Sequence, residues 1–331
     1  MHKAPLLSVY VTMYNRKKHV ERIVDYFENE LSRIDKSLVE VVISNDCSND
    51  GTTELLNTLK CNYVRIVNHP KNLGAQENFS WCIDDAKGEY FWLPGDDDYL
   101  RVGLLEKLVK LLQDNDISFI YLPYRRIVES THTIEYKAKE LIIEKDVKTS
   151  VSKKKLISLL VENNSELTFQ TSLICKHKIA KDCDSIISKW DYDAQSASHT
   201  KLKAIMAMQK GESYFFSDVC ILKGDEILWK DKRVSFLVIG NNKLCDLYLS
   251  NFGFSKSECK KIKRYQNARI YLEGLLHHEL LGALKKEGFP GLEPMIAPIM
   301  VYLAARKILR VCGLSNNYVK RDIKKSEFMF Q

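Results

Sequence analysis

The chain has 331 residues, 45% of them apolar, enough for one large core or two unequal ones, which excludes wholesale disorder. Its 50 Lys and Arg against 43 Asp and Glu leave a formal charge of +7, which suits an anionic substrate or membrane surface and falls short of a nucleic-acid signature. Nine scattered cysteines, an odd number with no CxxC pair, exclude a secreted disulfide framework and point to a reducing cytoplasm.

The apolar run Leu7 to Thr12 predicts a strand, and Val20, Ile23, Val24, Phe27 and Leu31 recur at helical spacing. Val39 to Ser44 is a second strand, Thr53 to Leu59 a short helix and Tyr63 to Val67 a third strand. Ala75 to Ala86 reads as a helix ended by Gly88, and Tyr90 to Leu93 as a fourth strand. Leu104, Leu105, Leu108, Val109 and Leu112 mark another helix before a strand at Ile117 to Leu122. This alternation predicts an α/β fold, a mostly parallel sheet flanked by helices on both faces. A hairpin excursion is expected between Arg125 and Glu144, a helix from Lys153 to Val161 and a strand from Leu167 to Cys175. Beyond Gly240 helical spacing with many Lys and Arg dominates, so a smaller helical C-terminal region is expected past a boundary near residue 235.

The start of the chain has no long apolar core, so no secretory signal is expected. The longest apolar stretch, near Met295 to Ala305, is broken by Pro298 and falls short of the roughly 20 residues of a spanning helix.

In an open α/β sheet, ligands bind beyond the carboxyl ends of the strands. There the chain places Thr12 to Asn15, Asn45 to Gly51 and Gly95 to Asp98, bringing hydroxyls, amides and carboxylates to one rim. Three adjacent carboxylates, Asp96, Asp97 and Asp98, repel one another, and a divalent cation such as Mg²⁺ or Mn²⁺ would offset that charge and leave positions for phosphate oxygens. An acidic turn in which Asp98 caps the following helix is the plainer alternative. Neither G-x-G-x-x-G nor G-x-x-x-x-G-K-[ST] occurs, so no backbone cradle for phosphates is evident. His277-His278-Glu279 lacks the second His four residues on that a zinc helix needs, and reads as structural.

Taken together, SVYVTMYNR, VVISNDCSNDGT, NHPKNLGAQEN and AKGEYFWLPGDDDYL resemble, in order and spacing, the signature blocks of family 2 glycosyltransferases, which have the GT-A fold. The resemblance covers about residues 5 to 125 and is nearest the subgroup of abequosyltransferases and other O-antigen sugar transferases. It implies inverting transfer of a sugar from a nucleotide diphosphate, UDP in the first instance, to a hydroxyl of a glycan or lipid-linked acceptor in bacterial surface polysaccharide synthesis. It places Thr12 and Tyr14 beside the nucleobase, Asp46 on a base N–H, Asn72 and Asn78 flanking the nucleotide and Asp96 at the ribose or the metal shell. It makes Asp97 the main metal ligand, with Asp98 beside it. Gly95 stands where many relatives carry the first Asp of the motif.

A base is also required on the face opposite the leaving group. The family carries it well downstream, and here Asp191 and Asp193 in KWDYD are the candidates, with Asp182, Asp184 and His199 behind them. The change of spacing near residue 235 divides the chain into a domain 1–235, which the resemblance makes nucleotide-sugar-binding and catalytic, and a basic C-terminal region, 236–331, for acceptor or membrane contact. Met295 to Leu314 and the tail residues Lys320, Arg321, Lys324 and Lys325 suit the anionic cytoplasmic face of an inner membrane, or a helix packed on the domain with a solvated basic side. Two other functions remain open, a nucleotidyltransferase and a noncatalytic membrane-surface scaffold with a decayed site. No nucleic-acid partner is expected.

Overall fold

Successive side chains of an extended strand leave opposite faces, and in the first strands both sets are apolar, which calls for cover on both sides of a sheet. The computed structural model describes residues 4–128, 133–135, 143–162, 166–189, 195–224, 240–264 and 320–322. Its elements in order are β1 (Leu7–Met13), α1 (Val20–Leu31), β2 (Val39–Asn45), α2 (Thr52–Thr58), β3 (Val64–Asn68), α3 (Ala75–Asp85), β4 (Tyr90–Trp92), β5 (Tyr99–Leu100), α4 (Leu104–Asp114) and β6 (Phe119–Tyr121). There follow β7 (Tyr124–Val128), β8 (Thr133–Glu135), β9 (Val147–Ser150), α5 (Lys153–Glu162), β10 (Leu173–Lys176), α6 (His177–Ile187), α7 (Gln195–Lys210), β11 (Glu212–Phe215), β12 (Ile221–Lys223), α8 (Gly240–Asn251) and β13 (Lys320–Asp322).

The main sheet has the order β3-β2-β1-β4-β10-β6-β11-β9. The strands β3, β2, β1 and β4 are parallel, β10 runs against both its neighbours, and β11 is parallel to β6. Tyr10, Val42 and Phe91 face one core layer with residues of α3, α5, α6 and α7, while Val9, Val11, Ile43 and Trp92 face the other with residues of α1 and α4. The expected α/β sheet flanked by helices is therefore present. The expected strand from Leu167 is not: residues 166–168 and 170–172 are 3-10 turns, and the ladder begins at Leu173. Its partner β4 ends at Trp92, so the residues before Leu173 have no β4 backbone to pair with.

A second sheet, β13-β8-β7-β12-β5, branches off directly after the acidic triplet. The hairpin excursion is β7 with β8, and residues 320–322 of the basic tail pair with β8 as its outer strand. Beyond residue 236, Leu244, Cys245, Phe254, Cys259 and Ile262 join the core layer on the α7 side. The segments Met295 to Leu314 and His277 to Glu279 lie outside the described residues. Among the described residues no helix is long and apolar enough to cross a membrane, and the cysteines are free thiols.

The plainer reading of Asp98 as a cap for α4 is corrected. That end is capped from α1, where buried Glu30 accepts the N–H groups of Gly103 (2.8 Å) and Leu105 (3.0 Å). A carboxylate at a helix N-terminus satisfies open donors and the positive end of the dipole, and no solvent can replace it here. Glu30→Ala is expected to destabilise the fold by about 2 to 4 kcal/mol, read as a lower urea midpoint at unchanged slope.

Candidate active site

The rim at the carboxyl ends of β1, β2 and β4 gathers most of the predicted residues. Tyr14, just past β1, is 43% exposed, unusual for a large ring among the described residues, and Thr12 is half-buried beside it. Asp46, just past β2, is buried and accepts the N–H groups of Leu73 (2.6 Å) and Gly74 (2.9 Å), so its carboxylate fixes the loop that carries Asn72. Asn72 is exposed and accepts the Gly74 N–H (2.8 Å), a local turn within the same loop. Asn78 lies behind the rim: it is 1% exposed, and its Oδ1 takes the hydroxyl of Ser44, which also meets His69 (2.9 Å). The structure thus gives Asn78 a positioning contact inside the first core layer.

The acidic triplet divides into two held carboxylates and one open one. Asp96 accepts from Arg16 Nε (2.9 Å to Oδ2), and its backbone carbonyl accepts from Arg22 (2.7 Å). Arg22 spans the loop, since its other terminal nitrogen donates to the carbonyl of Asp98 (2.7 Å) while its plane lies 4.2 Å from the Tyr99 ring centre. The Asp98 carboxylate accepts the hydroxyl of Thr171 and the N–H of Gly224 (3.2 Å). Among the described residues no hydrogen bond or ion pair reaches the Asp97 carboxylate, which is only half-buried.

Burial, against the opposing pull of Arg16, pushes Asp96 up to about 7, and burial with the charge of Asp97 pushes Asp98 up to about 7. Between the usual carboxylate range and that value the folded loop holds more protons than the unfolded chain. The triplet therefore costs stability as pH rises through that window, and a cation beside it opposes the cost.

The residues present fit a divalent cation at Asp97. Side-chain atoms would crowd both of its oxygens if its neighbours had any: a Cβ on Gly95 would sit 3.1 Å from Oδ1, and one on Gly224 3.3 Å from Oδ2. The departure at Gly95 follows from this packing, because the same Cβ would lie 2.7 Å from Asp98 Oδ2. Among the described residues no three His, Cys, Asp or Glu side chains are placed to hold a metal ion together. A single carboxylate is nonetheless an adequate protein share for Mg²⁺ or Mn²⁺ when a diphosphate supplies further oxygens.

Of the base candidates, Asp191 and Asp193 lie outside the described residues. Asp182 is engaged by Lys178 (3.2 Å) and Lys210 (2.8 Å), and Asp184 accepts from Ser80 (2.8 Å). His199, on α7, is fully buried with its Nε2 3.8 Å from Asp184 of α6, and burial holds its pKa well below the ordinary value. A neutral ring with no exposed edge cannot touch an acceptor hydroxyl, so the structure does not bring His199 into the site. Sequence reading missed Arg16, Arg22, Thr171 and Gly224. The last two stand 73 and 126 residues from Asp98, a separation that no local pattern spans. Arg16 had a signal, since it directly follows Tyr14 and Asn15 in the first block.

Solved structures share this architecture. The Staphylococcus aureus TarS fragment 1-349 in complex with UDP-GlcNAc matches with a TM-score of 0.55 at 14% identity, covering 93% of this chain and 83% of that one. A mannosyltransferase from Pyrobaculum calidifontis, in complex with GDP-Man and Mn²⁺, matches with a TM-score of 0.53 at 17% identity, covering 93% and 81%. The fold is thus that of the GT-A glycosyltransferases. The family model for glycosyl transferase family 2 matches residues 8–177, over half of the chain, and the chain belongs to that family. Among curated relatives, chondroitin synthase of Pasteurella multocida is 33% identical over 132 residues, 38% of this chain and 13% of that protein. Abequosyltransferase RfbV of Salmonella typhimurium is 33% identical over 99 residues, 29% of each chain. The chain therefore spans well under half the length of either relative.

Proposed function

We propose that this chain transfers a sugar, with inversion, from a nucleotide diphosphate donor, UDP in the first instance, to a hydroxyl of a glycan or lipid-linked acceptor in bacterial surface polysaccharide synthesis. The observation that carries the proposal is the Asp97 carboxylate, open and cradled between two glycines on a loop whose other acids are already engaged. Exposed Tyr14 offers a face for a nucleobase, and the Asp46-braced loop walls the same part of the rim. Held at Asp97, Mn²⁺ or Mg²⁺ would act as a Lewis acid on the departing phosphate. Arg22 and Thr171 keep the carboxylate in place for that task, and Arg16 balances Asp96 beside it.

Asp191, with Asp193 as its neighbour, takes the acceptor proton in this reading. Support comes from α7, which follows them: its Thr200 hydroxyl donates to Gln170 (3.2 Å), next to the Thr171 that holds Asp98. The region 236–331 serves acceptor or membrane-surface contact, and the protein works on the cytoplasmic side.

The test is a thermal-shift panel of nucleoside diphosphates and their sugars with and without Mn²⁺, followed by transfer assays. A metal-dependent rise in melting temperature is expected for one nucleotide class. Asp191→Asn should keep that rise and lose about 10² to 10⁴-fold in turnover. No response to any nucleotide would refute the proposal, and normal turnover in Asp191→Asn would move the base to Asp193.

A further inference from the structure

Two short segments far apart in sequence, 153–162 and 255–264, hold eight basic residues and two acidic ones, nearly the whole positive excess of the chain. The first is α5, and the second is helical from 256 to 264. A reciprocal cap starts the second helix: Glu258 accepts the Ser255 N–H (2.6 Å), and the Ser255 hydroxyl accepts the Glu258 N–H (3.2 Å). Lys153 ties the two helices together, since its ammonium donates to the carbonyl of Gly253 (2.6 Å) and pairs with Glu258 (3.0 Å). Leu156, Leu159 and Leu160 of α5 and Cys259 and Ile262 of the second helix enter one core layer. Between the helices runs a groove of about 590 Å³, lined by half-buried Ile157 and Val161 and by exposed Lys154 and Lys261.

The charges on this face are mostly uncommitted. Lys153 is the brace, and Lys263 is held by Asp246 (2.9 Å). Lys154, Lys155, Lys256, Lys260, Lys261 and Arg264 are exposed, and among the described residues no hydrogen bond or ion pair engages their side chains. Like charges on neighbouring turns repel one another, and Glu258 is already spent on the cap and on Lys153, so an external anion is needed to offset them. Five of these six are lysines, point charges without the planar fork that reads a single phosphate, and neither segment holds an aromatic residue on which a base could stack. A broad anionic plane fits such a surface better than a discrete ligand or a nucleic acid. Lysine stems lie readily along apolar surface with their heads among phosphates, which suits a groove walled by Ile157 and Val161.

We infer that α5 and the helical residues 256–264 form a docking face for an anionic phospholipid bilayer. The inference deepens the membrane-surface contact proposed for region 236–331, on which it rests, and adds α5, which lies outside that region. Docking there confines the chain to the surface that carries lipid-linked acceptors.

Cosedimentation of the full chain with vesicles tests it apart from turnover. An equal mixture of phosphatidylcholine and phosphatidylglycerol should retain the wild type, less so as salt rises, and phosphatidylcholine alone should not. Lys154→Glu combined with Lys261→Glu should weaken binding roughly twentyfold or more, since each basic residue at an anionic surface contributes about fivefold. Lys60→Glu combined with Lys110→Glu makes the same change of net charge at exposed lysines near α2 and on α4, and should bind almost as the wild type does. Both pairs should keep the wild-type melting temperature. Equal losses in the two pairs would show that net charge alone drives binding and overturn the inference, as would a wild type with no preference for phosphatidylglycerol. Release by inorganic phosphate beyond that by sodium chloride of equal ionic strength would mark a discrete phosphate site and overturn it too. So would a chain that ignores vesicles and binds RNA through Lys154 and Lys261. If Lys324→Glu with Lys325→Glu releases the vesicles and the first pair does not, the inference falls while the proposed membrane contact stands. A chain that docks through this face yet transfers no sugar would leave the surface standing and sink the proposed reaction.

Discussion

Asp97→Asn is expected to lower sugar transfer by about three orders of magnitude while leaving the melting temperature of the free protein unchanged or slightly raised. The substitution keeps the shape of the side chain and removes its charge. The fold does not need that charge, because among the described residues nothing donates to the carboxylate and its two acidic neighbours are already repelled by it. Losing it relieves the triplet. The proposed reaction does need it, since an amide is a poor ligand for a hard cation and the departing diphosphate would go unneutralised. The check is paired: transfer rate across a Mn²⁺ titration, and the rise in melting temperature on adding UDP with Mn²⁺. A variant that keeps the full metal-dependent rise would remove Asp97 from the metal site.

The second large effect is expected at a residue that touches no substrate. Arg22→Lys should cut turnover by about 10²-fold and cost about 1 to 3 kcal/mol of stability, with donor affinity reduced far less than turnover. A planar guanidinium donates to the carbonyls of Asp96 and Asp98 at once, both at 2.7 Å, while stacked on Tyr99. An ammonium is a single point that cannot span both carbonyls or lie flat on the ring. The loop would lose its clamp on either side of Asp97, and displacement by about 1 Å is enough to produce a loss of this size. Wild-type turnover in Arg22→Lys would show that the Asp98 contacts to Thr171 and Gly224 hold the loop unaided.

The two substitutions separate two kinds of information. Asp97 stood out in the sequence because three consecutive carboxylates after a buried strand repel one another, and that cost made their loop a candidate site. Arg22 did not, because on α1 it occupies the polar side of an ordinary amphipathic helix, and only the packing of α1 beneath the loop turns it inward. The same holds for Glu30, which looks like a surface acid and is a buried cap for a helix 73 residues away. His199 failed in the opposite direction: a histidine near the acidic KWDYD segment looked like a base, yet helix packing sealed it from solvent.

The sequence by itself determined the alternation of strands and helices, both apolar faces of the sheet, the rim residues Thr12, Tyr14 and Asp46, and the acidic loop, since each is encoded within a window of a few residues. Only the tertiary structure decided which of the three aspartates stays open, that a side chain at Gly95 would press on Asp98, and that Thr171 and Gly224 meet beside that loop. Those facts depend on chain segments far apart in sequence approaching within a few ångströms. Such distances follow from how the two sheets and their helices pack, which local spacing does not carry.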